Sequence, residues 1–179
     1  MSTDTAASPS TAGRVPDGTW RVDPAASTLG FKAKGGFGLV PVKGTFKEFG
    51  GTLTSTPGNV RGELVAQAAS LDTKLGPRDK HLRSADFFDV ENHPTVTFVL
   101  TDLQTAPDGA LHATGTLQLR ATNLRLEVPV TASSSDDGRL HLSTKVSVDR
   151  TAAGIGWSKF GMVKGDAELT AKLVLDRAD

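Results

Sequence analysis

The sequence predicts an all-β domain: an antiparallel β-barrel of about eight strands with a short helical cap inserted around residues 77–86. Three observations predict it. After Trp20, apolar and polar residues alternate over most of the chain, the period of strands with one dry and one wet face. Turn signals separate the runs at short intervals, as Pro57-Gly58-Asn59, Pro107-Asp108-Gly109 and Ser135-Asp136-Asp137-Gly138. One stretch, 75–89, breaks the alternation and reads as a helix. Eight strands are enough to close a sheet on itself and remove its edges. A β-sandwich satisfies the same periodicity, so the pattern alone leaves both arrangements open.

In chain order, residues 1–18 are rich in Ser, Thr, Ala, Pro and Gly and are expected to form a disordered tail. Residues 19–179 are expected to form one barrel domain, a length that supports a single core. Strands are expected around Phe31, from Val40 to Phe46 and on past Gly51, and more weakly from Val60 to Gln67. Val96, Phe98 and Leu100 then alternate with threonines, with Val99 out of phase. Leu117 and Leu119 alternate with Thr116 and Gln118. The most regular run sets Leu124, Leu126, Val128 and Val130 against Arg125, Glu127, Pro129 and Thr131. Leu140, Leu142, Val146 and Val148 oppose His141, Ser143, Lys145 and Ser147. The last run places Ala167, Leu169, Ala171, Leu173 and Leu175 on one phase.

Between Ser70 and Thr95 the chain is too long for a hairpin. Pro77 suits the first turn of a helix, where its missing N–H has no helical partner. Asp79 lies where the helix dipole favours a carboxylate, and Arg83 follows four residues later on the same face. We expect Arg78, Asp79, Arg83 and Asp86 to form a pairing network that fixes the cap or gates the barrel mouth, with His81 beside them.

Twenty Lys and Arg balance twenty Asp and Glu, which disfavours a nucleic-acid partner held by long-range charge. There is no cysteine, hence no disulfide framework and no thiol chemistry. No apolar run approaches the length of a membrane helix, so no integral membrane segment is expected. No export signal is visible, which favours the cytoplasm, or the periplasm or exterior if a leader was removed. A monomer or homodimer is expected.

The residues resemble the YceI-like family, the lipocalin-like polyisoprenoid-binding proteins of bacteria, over nearly all of 20–176. The resemblance begins with Trp20-Arg21-Val22-Asp23-Pro24 and Ser27, and continues through Gly44-Thr45-Phe46 with Phe49-Gly50-Gly51. Ser70-Leu71-Asp72-Thr73 then precedes its longest match, RDKHLRSADFFDVENHPTVTF at 78–98. Gly115-Thr116-Leu117 and Asp149-Arg150 follow in the family's order. Two departures bear on ligand identity. Lys34-Gly35-Gly36 stands where the family often has a histidine, and Ala153 where it usually has an aromatic. The resemblance implies an apolar cavity holding an isoprenoid lipid, such as a polyprenyl phosphate or an isoprenoid quinone, with no other cofactor.

Other chemistry finds little support. Asp79 and His81, two apart, point to different sides of a helix and do not make a triad with Ser84. The four histidines, His81, His93, His112 and His141, lack metal-ligand spacing, and no metal is expected. No phosphate-binding glycine loop or hydrolase elbow is present. We therefore expect no catalytic residues. The residues expected to line a ligand cavity are Phe31, Phe37, Phe46, Leu64, Phe98, Leu117, Leu126, Val128, Leu142, Val146, Trp157, Phe160, Leu169 and Ala171. For any single aromatic, packing in the core is the commoner role; the cavity reading rests on them together. The glycine-rich stretches 35–38 and 154–161 are expected at the mouth, where Lys34, Lys43, Lys159 or Lys164 would meet an anionic head group. Two other readings stand beside lipid carriage: an enzyme acting on a small hydrophobic or lipidic substrate, and a filled barrel acting through its surface in stress response.

Overall fold

Alternating strands bury one face each, and among the described residues eleven strand segments use that property to build eight wall positions. The structure, a computed structural model, describes residues 14–35, 40–149 and 164–178. Three wall positions are strands broken in the middle. β1 (Gly18–Val22) and β2 (Thr28–Gly35) lie one after the other, as do β3 (Val40–Phe46) and β4 (Phe49–Thr56), then β5 (Asn59–Gln67) and β6 (Leu71–Asp72). The remaining five are β7 (Thr95–Thr105), β8 (Leu111–Leu119), β9 (Thr122–Ser134), β10 (Leu140–Val148) and β11 (Lys164–Arg177). Every pairing is antiparallel, and the long β11 closes the ring against β1 and β2 in turn, with Val22 opposite Leu175 and Thr28 opposite Lys172. Closure excludes the sandwich.

The three breaks lie side by side, and two serines stitch them. Ser27 Oγ accepts from Val174 N at 2.9 Å and donates to Asp23 O at 2.6 Å. Ser70 Oγ accepts from Glu48 N at 3.0 Å and donates to Gln67 O at 2.7 Å across the turn Ala68–Ser70. Buried backbone groups need partners wherever a ladder is interrupted, and these hydroxyls supply them.

Two apolar cores seal the two ends. At the hairpin end Trp20, Leu53, Leu140 and Leu175 pack together with Val15, which is 6% exposed. Trp20 Nε1 donates to Pro16 O at 3.1 Å. The packed chain thus reaches back into the stretch that composition assigned to the tail. At the other end Phe46, Leu71, Leu82, Phe87 and Leu119 form the second core. Here the rings of Phe31, Phe46 and Phe88 meet at 5.5–6.0 Å between centroids.

The cap is one helix, α1 (Gly76–Arg83), shorter than the expected 77–86. It stops because Ser84 leaves helical geometry and its hydroxyl turns back onto the His81 carbonyl. The chain then winds down through Phe88 N→Leu82 O (3.0 Å) and Val90 N→Arg83 O (3.1 Å), delivering Phe87 and Phe88 to the core. Among the described residues no helix is long and apolar enough to cross a membrane.

Candidate functional site: the capped interior channel

The inward phase of the wall is not packed evenly along its length. On β10, Leu140 and Val148 at the two ends are 0% and 3% exposed, whereas Leu142, Thr144 and Val146 between them stay partly accessible. A packed core would bury the middle most deeply, so among the described residues this barrel is hollow at its waist and more tightly packed towards its ends. Two cavities of about 120 Å³ each occupy the hollow. They share Leu64, Phe98, Val128, Thr144 and Ala171, contributed by five strands, so the two cavities abut along the barrel interior. On β11 the lining passes from Leu169 through Ala171 to Leu175, about 20 Å along the strand at ~3.3 Å per residue.

Small residues make the waist. Ala171 leaves it open, and Gly115 lets the Phe98 ring lie flat against β8, since a Cβ there would sit 2.4 Å from the ring edge and from Val99 O. Among the described residues the walls carry no histidine, lysine or arginine. Of their polar side chains, Thr144 donates to Pro129 O at 2.6 Å. Glu63 lies on the outer phase of β5, opposite Thr52.

Leu64, Phe98, Val128 and Ala171 thus line both cavities, Leu142 the one at the hairpin end, and Leu117, Leu126, Val146 and Leu169 the one under the cap. Phe31 and Phe46 lie instead in the aromatic cluster that closes the cap end. Phe37, Trp157, Phe160 and Lys159 lie outside the described residues, as do most of 35–38 and all of 154–161. Lys43 is exposed on β3, and Lys34 and Lys164 are register partners of β2 and β11. Sequence reasoning missed Leu29, Val96, Leu100 and Leu173, which share the inward phase of their strands and were legible from it.

The cap is held differently from the expected network. Asp79 and Arg83 do not pair. Asp79, 7% exposed, accepts from Thr73 N at 2.9 Å and from the Thr73 hydroxyl. Arg78 donates to Thr73 Oγ1 and Thr73 O, both at 2.8 Å. Arg83 donates to Ala69 O and Leu71 O, both at 2.9 Å. The guanidinium groups satisfy carbonyls at the end of the broken strand, where a multidentate donor is worth more than an exposed i,i+4 pair. Asp86 pairs with His81 at 2.9 Å, beyond the helix. The anchoring residues converge on 69–73, not on one another.

The hinge from wall to cap is Lys74, whose φ of 66° turns the chain outward. Asp72 holds it, accepting from Lys74 N at 2.8 Å and Lys74 Nζ at 3.0 Å, with Lys47 Nζ at 3.4 Å. The Lys74 backbone N–H first, then its ammonium, pull the Asp72 carboxyl down to about 2.

Fold and site together define an eight-stranded antiparallel barrel with an apolar interior beneath the helical cap α1. The profile of the YceI-like domain matches residues 20–175, and the chain belongs to that family. A UPF0312 protein of Ectopseudomonas mendocina is 40% identical over 79 residues, 42% of this chain and 41% of that protein. Protein YceI of Escherichia coli O157:H7 matches at the same identity and coverage. A UPF0312 protein of Vibrio cholerae is 35% identical over 98 residues, 51% of its length. The chain spans about half the length or less of these curated relatives. The crystal structure of Burkholderia cenocepacia BcnA superposes with a TM-score of 0.77 at 23% identity, covering 86% of this chain and 98% of that one. A polyisoprenoid-binding domain from Saccharophagus degradans, implicated in plant cell wall breakdown, gives 0.73 at 13% identity, covering 89% and 98%. These likenesses show the fold.

Proposed function

We propose that the protein binds and sequesters or carries a long-chain isoprenoid lipid, a polyprenyl phosphate or an isoprenoid quinone, with the chain in the interior channel. The observation that carries this reading is the pair of apolar cavities that abut end to end and share Leu64, Phe98, Val128, Thr144 and Ala171. Burial of the chain supplies affinity at about 25 cal/mol per Å² before ordering costs. A narrow channel with almost no free polar groups suits a flexible hydrocarbon better than a compact polar metabolite. The test is native mass spectrometry of the purified protein, with organic extraction and identification of what is released. A stoichiometric isoprenoid is expected. A protein that arrives empty and stays empty when polyprenyl phosphates and quinones are offered would overturn the reading.

A further inference from the structure

β9 and β10 are neighbours in the barrel wall, yet their ladder covers only part of their length. It runs from Ser134 opposite Leu140 to Val130 opposite Thr144 and stops. Beyond that rung β9 continues through residues 122–129, paired on its other side with β8. β10 continues through residues 145–148, paired on its other side with β11. Two strands well held by their outer neighbours therefore part from each other on the cap side.

Pro129 accounts for the parting. Its carbonyl faces β10, since it accepts Thr144 Oγ1 at 2.6 Å. In an antiparallel ladder the N–H and C=O of one residue point to the same neighbour, and proline has no N–H to give. The rung after Val130 loses a donor where the ladder would have to continue.

The parting borders the channel. Leu126 and Val128 on one edge, and Thr144 and Val146 on the other, all line the cavity under the cap. Among the described residues a packed core lies towards each end of the channel. At the hairpin end the β5–β7 ladder also stops early, at Gly62 opposite Leu100, but Val15 packs into the same core as Val60 and Leu103 beside it. We infer that the parting between β9 and β10 is the port by which an apolar ligand enters and leaves the channel, with Pro129 keeping the ladder from closing. The ligand's identity rests on the proposed function; the route does not.

The chain has no cysteine, so Glu127→Cys with Ser147→Cys places the protein's two thiols on the exposed outer faces of the two edges. Oxidation, or a short bis-maleimide where the edges stay beyond disulfide reach, ties the port shut. Uptake and release of N-phenyl-1-naphthylamine, an uncharged apolar fluorophore, are followed by stopped flow in the tied, reduced and wild-type proteins. Tying is expected to slow both rates at least about tenfold at unchanged equilibrium loading, as for a closed gate, and reduction to restore them. Pro129→Val, which returns the missing donor without a cross-link, is expected to slow exchange in the same direction. Equal rates in tied and reduced protein, faster exchange in Pro129→Val, or a wild-type protein that admits no probe would each overturn the inference. A polyprenyl quinone offered in parallel separates the two questions. Probe entry that tying slows, with no quinone retained, leaves the port standing and removes the isoprenoid reading.

Discussion

Thr73 and Asp79 join the barrel wall to its cap: the Asp79 carboxylate accepts both the backbone N–H and the hydroxyl of Thr73, and Arg78 donates back to that same hydroxyl oxygen. The pair is buried, so its loss strands donors away from water. Asp79→Ala is expected to lower stability by about 2–3 kcal/mol, and Thr73→Val by about 1–2 kcal/mol, in urea melts. Because one hydroxyl serves both partners, the double variant should lose less than the sum. Strict additivity would show that the contacts act separately.

Ala171 stands at the waist of the channel. Ala171→Phe should fill it, costing about 1–3 kcal/mol of stability through overpacking while leaving the far-ultraviolet circular dichroism unchanged. Retention of a polyprenyl quinone should fall at least tenfold, about 1.4 kcal/mol in affinity. Quinone binding equal to wild type in a folded variant would count against the channel as the site.

Gly115 gives Phe98 its place. Gly115→Ala is expected to destabilise by about 1–3 kcal/mol, because the new methyl meets both the ring and Val99 O. Adding Phe98→Leu should recover the share due to the ring and not the share due to the backbone carbonyl. Thermal melts of the single and double variants check both halves.

Asp72 gives the cap an acid limb. Its folded value of about 2 lies below the ordinary 3.8, so its contribution is complete above about pH 4 and is lost as pH falls towards 2. The melting temperature should decline over that window, less steeply in high salt because the group is near solvent. Asp72→Asn should flatten the decline. An unchanged acid limb in that variant would place the titration elsewhere.

What the sequence by itself determined was the antiparallel class, the inward phase of nearly every strand and the existence of a helical cap. These are local properties: period two states which side chains go in, and Pro57, Asp108 and Gly138 state where the chain turns. Closure into a ring, which excluded the sandwich, was decided only in three dimensions, because β11 meets β1 and β2 from the far end of the chain. The partners of Asp79 and Arg83 were likewise beyond sequence spacing. Helical arithmetic paired them with each other, whereas the broken strand at 69–73 offered backbone groups that needed them more. Whether the inside was filled or hollow also waited on the fold. It depends on how Ala171, Gly115 and Phe98, from three different strands, share one cross-section, and no periodicity measures the space left between them.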